Sequence, residues 1–181
     1  MWLRREFYSL SLNHFDIFGL GACFNLDLQA LESRYRKIQS EYHPDRFVTA
    51  AATEKLQSMQ IATQANEAYL TLKKPATRAQ YLLELQGIQA VSETNTAMPI
   101  DFLMQQMEWR EQLEDAKLEK NMDALEALIR TLKTESNQLE ADFTEQYDLK
   151  KDYTSATDTA RKLIFIDKLS SDARSAIEAL D

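Results

Sequence analysis

The sequence predicts an all-α protein with two parts, an antiparallel helix hairpin flanked by short helices and a C-terminal three-helix bundle. Apolar residues recur at steps of three and four along most of the 181 residues, which is the period of amphipathic helices. The chain holds only three glycines and three prolines, too few for the turns of a sheet-rich fold. A stretch without such a period, "IQAVSETNTAMP", separates two periodic regions and is expected to be a linker.

The first long helix is predicted over residues 27–42, "DLQALESRYRKIQSEY". Asp27 is a favourable N-cap. Pro44 prevents the helix from continuing, because proline lacks a backbone N–H and biases the preceding His43 away from helical angles. The apolar positions expected on one face are Leu28, Leu31, Tyr35, Ile38 and Tyr42.

A second long helix is predicted from about Thr53 to Lys73, so that the two helices form the hairpin. Pro75 suits the first turn of a shorter helix, "ATRAQYLLELQ", and Gly87 is expected to end it. The residues expected on the core side of the second helix are Leu56, Met59, Ala62, Ala65, Tyr69 and Leu72.

Three helices are predicted after the linker. The first runs from Pro99 to about Leu118, and the last spans roughly Asp152 to Leu180. Between them lies a helix whose expected core stripe is Met122, Leu125, Ile129, Leu132, Leu139 and Phe143. Short connections between such helices are typical of a bundle.

Charge and composition narrow the classes of partner. The net charge of −8 argues against nucleic acid, and no apolar run has the length of a membrane-spanning helix. Residues 101–148 hold 13 acidic and 5 basic residues, so the negative charge lies in the second part and favours a cationic partner there. The single cysteine excludes an internal disulfide and fits a reducing compartment. Residues 1–12 lack the features of a secretory signal and are expected to be an extension outside the fold.

The tripeptide His43–Pro44–Asp45 is predicted to lie in the hairpin loop. Proline stiffens the loop, and the two polar side chains would project from an exposed tip. A His–Asp pair could orient an imidazole as a general base, but no nucleophile has an obvious position beside it. His14 and Cys23 show no metal-ligand spacing with it, so no metal site is expected. A rigid docking point and a helix stop with incidental polar residues both remain open.

The surroundings of the tripeptide carry a resemblance. "HFDIFGL" precedes a helix with basic residues, "YHPDRF" follows it, and "QANEAYLTL" and "KKPATRAQYLL" complete the unit. Residues 13–88 resemble a J-domain, the module that stimulates the ATPase of DnaK-type chaperones, with residues 89–98 as the linker. The resemblance implies that the Asp45 carboxylate engages an arginine of the chaperone. The residues it implies for chaperone binding are His43, Pro44, Asp45, Arg34, Arg36, Lys37 and Arg46.

The first helix of the bundle has two apolar sides on a helical wheel. Phe102, Trp109, Leu113 and Ala116 share the side expected to be core. The opposite side combines apolar and acidic residues: Leu103, Met104, Met107, Glu108, Glu111 and Asp115. On the last helix, Phe165 points about 180° away from the expected core residue Ala156. These apolar residues are either part of a wide core stripe or a surface for a partner.

The segments "FLMQQMEWREQLEDA", "RAQYLLELQG" and "RKLIFIDKLSS" resemble the J-type co-chaperone family of bacterial iron–sulfur cluster assembly. The resemblance implies a bacterial cytoplasmic protein that delivers the scaffold protein IscU to the DnaK-type chaperone HscA. Such a protein has no catalysis of its own, and we expect no cofactor, metal, nucleic acid or membrane partner. The resemblance assigns scaffold binding by residues 99–181 to Leu103, Met104, Met107, Glu108, Glu111, Asp115 and Phe165.

Two other functions remain open at this point. One is a general J-domain co-chaperone that delivers unfolded clients to a DnaK-type chaperone. The other is a small hydrolase that uses Glu108 and Glu111 as paired carboxylates. Their three-residue spacing places both on one helix face, but such pairs are common on solvated helices.

Overall fold

A computed structural model describes residues 12–90 and 98–180 of the chain. Within these ranges the secondary structure is helical, without a strand, so the predicted all-α fold class is confirmed. Most of the expected extension and residues 91–97 of the expected linker lie outside the described residues. No helix in the described part of the chain combines the length and apolarity needed to span a bilayer.

The chain divides between Leu82 and Leu83 into two compact units. The division falls inside a helix and before residue 88, where the sequence predicts the end of the J-domain. The exact domain limits therefore stay a prediction.

The first unit begins with the short helix α1, His14–Ile17. Asn13 caps it by accepting hydrogen bonds from the backbone N–H groups of Phe15 and Asp16, and the Asp16 carboxylate accepts from Asn13 N in return. Phe15 and Ile17 are buried, so this capping box anchors the entry of the chain into the core.

The hairpin consists of α2, Leu28–Tyr42, and α3, Ala52–Lys73, with a 3-10 turn at Pro44–Phe47 between them. Asp27 caps α2 as predicted, because its carboxylate accepts from Gln29 N and Ala30 N. A further helix, α4, spans Pro75–Glu84. The residues that fill the core between these elements are Leu31, Ile38, Ala65, Ala68, Leu72, Ala79 and Leu82.

A polar and aromatic network fixes the register of α2 against α3. The rings of Tyr35 and Tyr69 stack at 4.1 Å, and the Tyr69 hydroxyl donates to a Glu32 carboxylate oxygen at 2.9 Å. Further along α2, Gln39 donates to the Ala62 carbonyl, so partner numbers fall as α2 numbers rise and the helices are antiparallel. The Glu32 carboxylate accepts hydrogen bonds from Arg36 and Tyr69. Both lower the pKa of Glu32, and the bond from Arg36 has the larger effect.

Two residues of α3 do not occupy their expected position. Leu56 is 58% exposed and Met59 is also exposed, whereas both were expected on the core side. The expected series advances mostly by three residues, and each such step turns the helix by about 300°. Residues in this series therefore do not stay on one face of α3. Leu56 and the buried Ala65 are nine residues apart, which places them on opposite sides of the helix.

The second unit contains α5, Ile100–Leu118, α6, Met122–Phe143, and α7, Tyr153–Glu178. All three pack on one another, most extensively α6 on α7, and form the predicted three-helix bundle. Asn121 caps α6 and Asp152 caps α7. The core of α6 and α7 is formed by Leu125, Leu128, Leu132, Leu139, Phe143, Ala156, Ala160, Leu163, Ile166 and Leu169.

The chain leaves α6 through π-helical turns at Thr144–Lys150, which are not among the elements predicted from the sequence. Tyr147 is buried there and stacks on Phe143, and Gln86 donates to its hydroxyl. Arg161 of α7 donates to the Ala90 carbonyl at 2.7 Å. The residues that follow α4 therefore pack on the bundle.

Candidate functional site

The tripeptide forms the exposed tip between α2 and α3. His43 has extended backbone angles, and its Nδ1 accepts a hydrogen bond from Asp45 N at 3.3 Å, which caps the 3-10 turn. Pro44 occupies the first position of that turn, where a missing N–H costs nothing. The Asp45 side chain is 86% exposed and its Oδ2 lies 3.5 Å from His43 Nδ1. The geometry presents a carboxylate to a partner from a stiff backbone.

Three of the four basic residues predicted for chaperone binding already make contacts within the unit. Arg34 Nη1 donates to the carbonyls of Phe18 and Gly19, and Gly19 has a φ of +59° that favours glycine. Arg36 pairs with Glu32, and Arg46 Nη1 donates to the Ser40 carbonyl at 2.8 Å.

Lys37 differs from these three arginines. It is exposed and has no hydrogen-bond or ion-pair partner among the described residues. Its ammonium group is therefore available to a partner without breaking a contact inside the unit. Chaperone binding by all four residues stays a prediction.

The two sides of α5 differ in burial as the helical wheel predicts. Phe102, Trp109 and Leu113 are buried together with Ala116. On the opposite side Leu103, Met104 and Met107 are exposed, Met107 by 71%. These three residues are therefore not part of the described core, and the interpretation as a wide buried stripe is wrong for them. Large apolar side chains grouped in solvent mark an interaction surface.

An acidic row continues this face of α5. Glu108, Glu111 and Asp115 are exposed, and the Glu108 carboxylate accepts a hydrogen bond from Gln105 at 3.0 Å. Among the described residues, no salt bridge engages Glu111 or Asp115. No group of three or more metal-ligating side chains lies together in the described part of the chain. The row is therefore free to attract a cationic partner.

Phe165 lies between the core and the surface. It is half-buried, and its ring packs edge to face on the Phe102 ring at 5.9 Å between centroids. The Arg110 guanidinium lies over the Phe165 ring at 5.3 Å, and the Lys162 ammonium lies over Phe102 at the same distance. Neither cation was predicted from the sequence. The three-residue spacing of Lys162 and Phe165 places both on one side of α7. The contacts of Lys162 with Phe102 and of Arg110 with Phe165 both depend on how α5 packs on α7.

The fold and the two surfaces define a class of protein. A helical hairpin that presents His-Pro-Asp at its tip, joined to a helical bundle with an exposed apolar and acidic face, is the arrangement of a J-type co-chaperone.

Comparisons with known proteins are more specific. Residues 98–174 match a family model described as "HSCB C-terminal oligomerisation domain". A "Co-chaperone protein HscB homolog" of Azoarcus sp. (strain BH72) is 44% identical over 95% of this chain and 97% of its own length. Another, of Burkholderia mallei (strain SAVP1), is 46% identical over 96% of this chain and 98% of its own.

Solved structures agree with these relatives. The chaperone HscB from Vibrio cholerae has a TM-score of 0.78 and 37% identity, covering 94% of this chain and all of its own. The human co-chaperone protein HscB has a TM-score of 0.83 and 26% identity, covering 92% and 83%. The chain belongs to the HscB co-chaperone family, with a J-domain followed by a C-terminal helical domain.

Proposed function

We propose that this protein is an adaptor in iron–sulfur cluster biogenesis in the bacterial cytoplasm. It delivers the scaffold protein IscU to the DnaK-type chaperone HscA and stimulates the ATPase of that chaperone. The observation that carries the proposal is the exposure of Leu103, Met104 and Met107 beside an acidic row, on the side of α5 opposite its buried residues.

The chaperone docks at the hairpin tip. The Asp45 carboxylate accepts hydrogen bonds from an arginine of the chaperone, and such charge-assisted bonds are about twice as strong as neutral ones. The His43 cap and Pro44 hold the backbone of Asp45 in place before docking, which lowers the entropy lost on binding. Lys37 attracts an acidic surface of the chaperone, and Arg34, Arg36 and Arg46 contribute to the same positive charge.

The scaffold binds the face of α5. Leu103, Met104 and Met107 lose exposed apolar area on binding, and methionine side chains adapt to the shape of a partner. Glu108, Glu111 and Asp115 attract cationic groups and orient the scaffold. Phe165 of α7 packs on Phe102 and Arg110 of α5, and its half-buried ring contributes to scaffold binding from there.

The adaptor supplies no catalysis of its own. ATP is hydrolysed by HscA, and linking the two docking sites in one chain raises the effective concentration of IscU at the chaperone. This arrangement predicts that each docking site can be removed without loss of the other.

The ATPase rate of HscA, measured with this protein and IscU added separately and together, tests the proposal. We expect this protein and IscU each to raise the ATPase rate when added alone. Added together, they should raise it by a factor larger than the product of the two separate factors. Stimulation by this protein that IscU does not change would contradict the delivery function.

A general J-domain co-chaperone for unfolded clients is the second candidate. The exposed pair Met104 and Met107 favours it, because flexible methionine surfaces accept varied partners. A competition experiment with IscU and a reduced, unfolded protein distinguishes the two. If the full-length protein retains IscU and the unfolded protein equally, the general function is supported.

A further inference from the structure

The exposed apolar face of α5 is longer than the predicted scaffold-binding residues. Ile100 is 74% exposed at the first position of the helix, and Leu118 is 85% exposed at its last. Relative to Ile100, Leu103, Met104 and Met107 stand at three, four and seven positions further along, which is the spacing of one helix face. Leu118 lies 18 residues after Ile100, five whole turns at 3.6 residues per turn, and so shares that face.

This face lies opposite the buried one along the whole helix. Trp109 is nine residues from Ile100 and from Leu118, which at about 100° per residue places it on the other side of both. Trp109 is buried, as are the neighbouring core residues Phe102 and Leu113. Ile100 and Leu118 are therefore not residues at the edge of the core but the two ends of the exposed face.

The face has an ordered composition. Its first two turns are apolar, from Ile100 to Met107, and its next two are acidic, with Glu111, Glu114 and Asp115. Glu108 accepts a hydrogen bond from Gln105 and Glu114 pairs with Lys117 at 2.9 Å, which leaves Glu111 and Asp115 as the carboxylates of this face without such a contact. Leu118 is the apolar residue at the C-terminal end of this face. We call this set, from Ile100 to Leu118, the α5 stripe.

We infer that the scaffold protein contacts the full length of the α5 stripe, with Ile100 and Leu118 as binding residues at its two ends. The inference rests on the proposed function and extends its site. The nineteen residues of this helix are about 28 Å long, so the partner must present a surface of similar length. Its chemistry is apolar at both ends and cationic between them, to meet Glu111 and Asp115.

Four substitutions to glutamine test the inference, because glutamine favours helix and leaves the charge unchanged. Ile100→Gln and Leu118→Gln probe the two ends, and Met104→Gln is the reference inside the proposed site. Leu149→Gln is the matched control, since Leu149 is 75% exposed in the same unit but outside α5. The dissociation constant for purified IscU is measured for each full-length variant by isothermal titration calorimetry.

We expect Ile100→Gln and Leu118→Gln each to raise the dissociation constant about fivefold, and Leu149→Gln to leave it within about twofold. All four side chains are exposed, so the thermal transition should not shift and should confirm that each variant is folded. If Met104→Gln weakens binding while both end variants bind like the wild type, the inference is overturned and the proposed function stands. If Met104→Gln has no effect either, the proposed scaffold site fails with it.

Two further readouts test other occupants of the stripe. Sedimentation of the protein alone reports a second copy, and HscA stimulation without IscU reports the chaperone. We expect neither the sedimentation coefficient nor the stimulation of HscA without IscU to change in Ile100→Gln or Leu118→Gln. A change in the sedimentation coefficient would assign the stripe to self-association, a change in stimulation would assign it to the chaperone, and either would overturn the inference.

Discussion

At the scale of single residues, two positively charged side chains on α2 differ in their contacts. Arg34 and Lys37 stand three positions apart on α2, and the sequence predicts chaperone binding for both. Arg34 donates to the Phe18 and Gly19 carbonyls and so ties α2 to the segment after α1. Lys37 has no partner among the described residues. A difference in tertiary contact, not in charge, separates the two residues.

We predict that Arg34→Ala and Lys37→Ala separate stability from docking. Arg34→Ala removes hydrogen bonds from a charged donor and should lower the free energy of unfolding by about 1 kcal/mol. Lys37→Ala should leave it within about 0.5 kcal/mol, because the side chain is exposed and unpaired. Urea unfolding followed by circular dichroism measures both. Equal destabilisation by the two variants would show that the Arg34 contacts contribute nothing specific.

The Lys37→Ala variant should instead weaken the apparent affinity for HscA. The ATPase rate as a function of the concentration of the adaptor measures this, and raising the salt concentration should reduce the difference from wild type, since exposed charges are screened.

At the scale of helices, α3 and α5 each carry apolar residues on two sides, but for different reasons. In α5 the exposed set keeps a helical spacing and forms one continuous face. In α3 the exposed Leu56 and Met59 arise because a series advancing by three drifts around the helix. A helical wheel therefore separates core from surface on α5, whereas on α3 the expected series left the core face because its steps of three drift around the helix.

We predict that two leucines of α3 respond differently to the same substitution. Leu72 is fully buried, so Leu72→Ala should lower the free energy of unfolding by about 2–5 kcal/mol through lost burial and a cavity. Leu56→Ala should change it by less than about 0.5 kcal/mol, because Leu56 is largely exposed. Denaturant unfolding at constant pH measures the difference. A loss of several kcal/mol in Leu56→Ala would contradict its exposure.

Met104 and Phe165 offer a second comparison, between α5 and α7. Met104→Ser should weaken IscU binding and leave the thermal transition in place, because the side chain is exposed. Phe165→Ser should weaken binding and also lower the melting temperature, because the ring packs on Phe102 beneath Arg110. Calorimetry for binding and for unfolding gives both quantities. An unchanged melting temperature in Phe165→Ser would show that the contact with Phe102 adds no stability.

At the scale of the whole molecule, the proposed adaptor has one docking site for the chaperone and one for the scaffold, and delivery of the scaffold requires that both are occupied. The tripeptide lies in the first compact unit and the α5 stripe in the second, so each site can be substituted by itself. A variant with one site removed should therefore still bind the partner of the other site.

We predict that Asp45→Asn converts the adaptor into an inhibitor. The amide has the shape of the carboxylate but not its charge, so stimulation of the HscA ATPase should be lost while IscU binding is kept. Excess variant added to wild-type protein with limiting IscU should lower the stimulated rate, because it sequesters the scaffold. The matched control is Asp45→Asn combined with Met104→Ser, which should inhibit much less. Stimulation by Asp45→Asn alone would refute the docking role of the tripeptide.

Several features were predictable because their causes are local in the sequence. The Asp27 cap, the stop at Pro44 and the alternation of buried and exposed residues on α5 depend on neighbours within a few positions. The His-Pro-Asp tripeptide and the all-helical composition belong to the same group. Chaperone and scaffold binding came from a resemblance, and the site residues assigned by it stay predictions.

The sequence by itself determined the helical composition and most helix ends, because these follow from short-range hydrogen bonding and apolar period. The family was indicated by the resemblance of whole segments to known members. Only the tertiary structure decided that Arg34 holds a loop and that Phe165 bridges α5 and α7 under Arg110. Each of these depends on which residues from distant parts of the chain meet. Such contacts are set by the packing of whole helices, and no spacing within one helix specifies them.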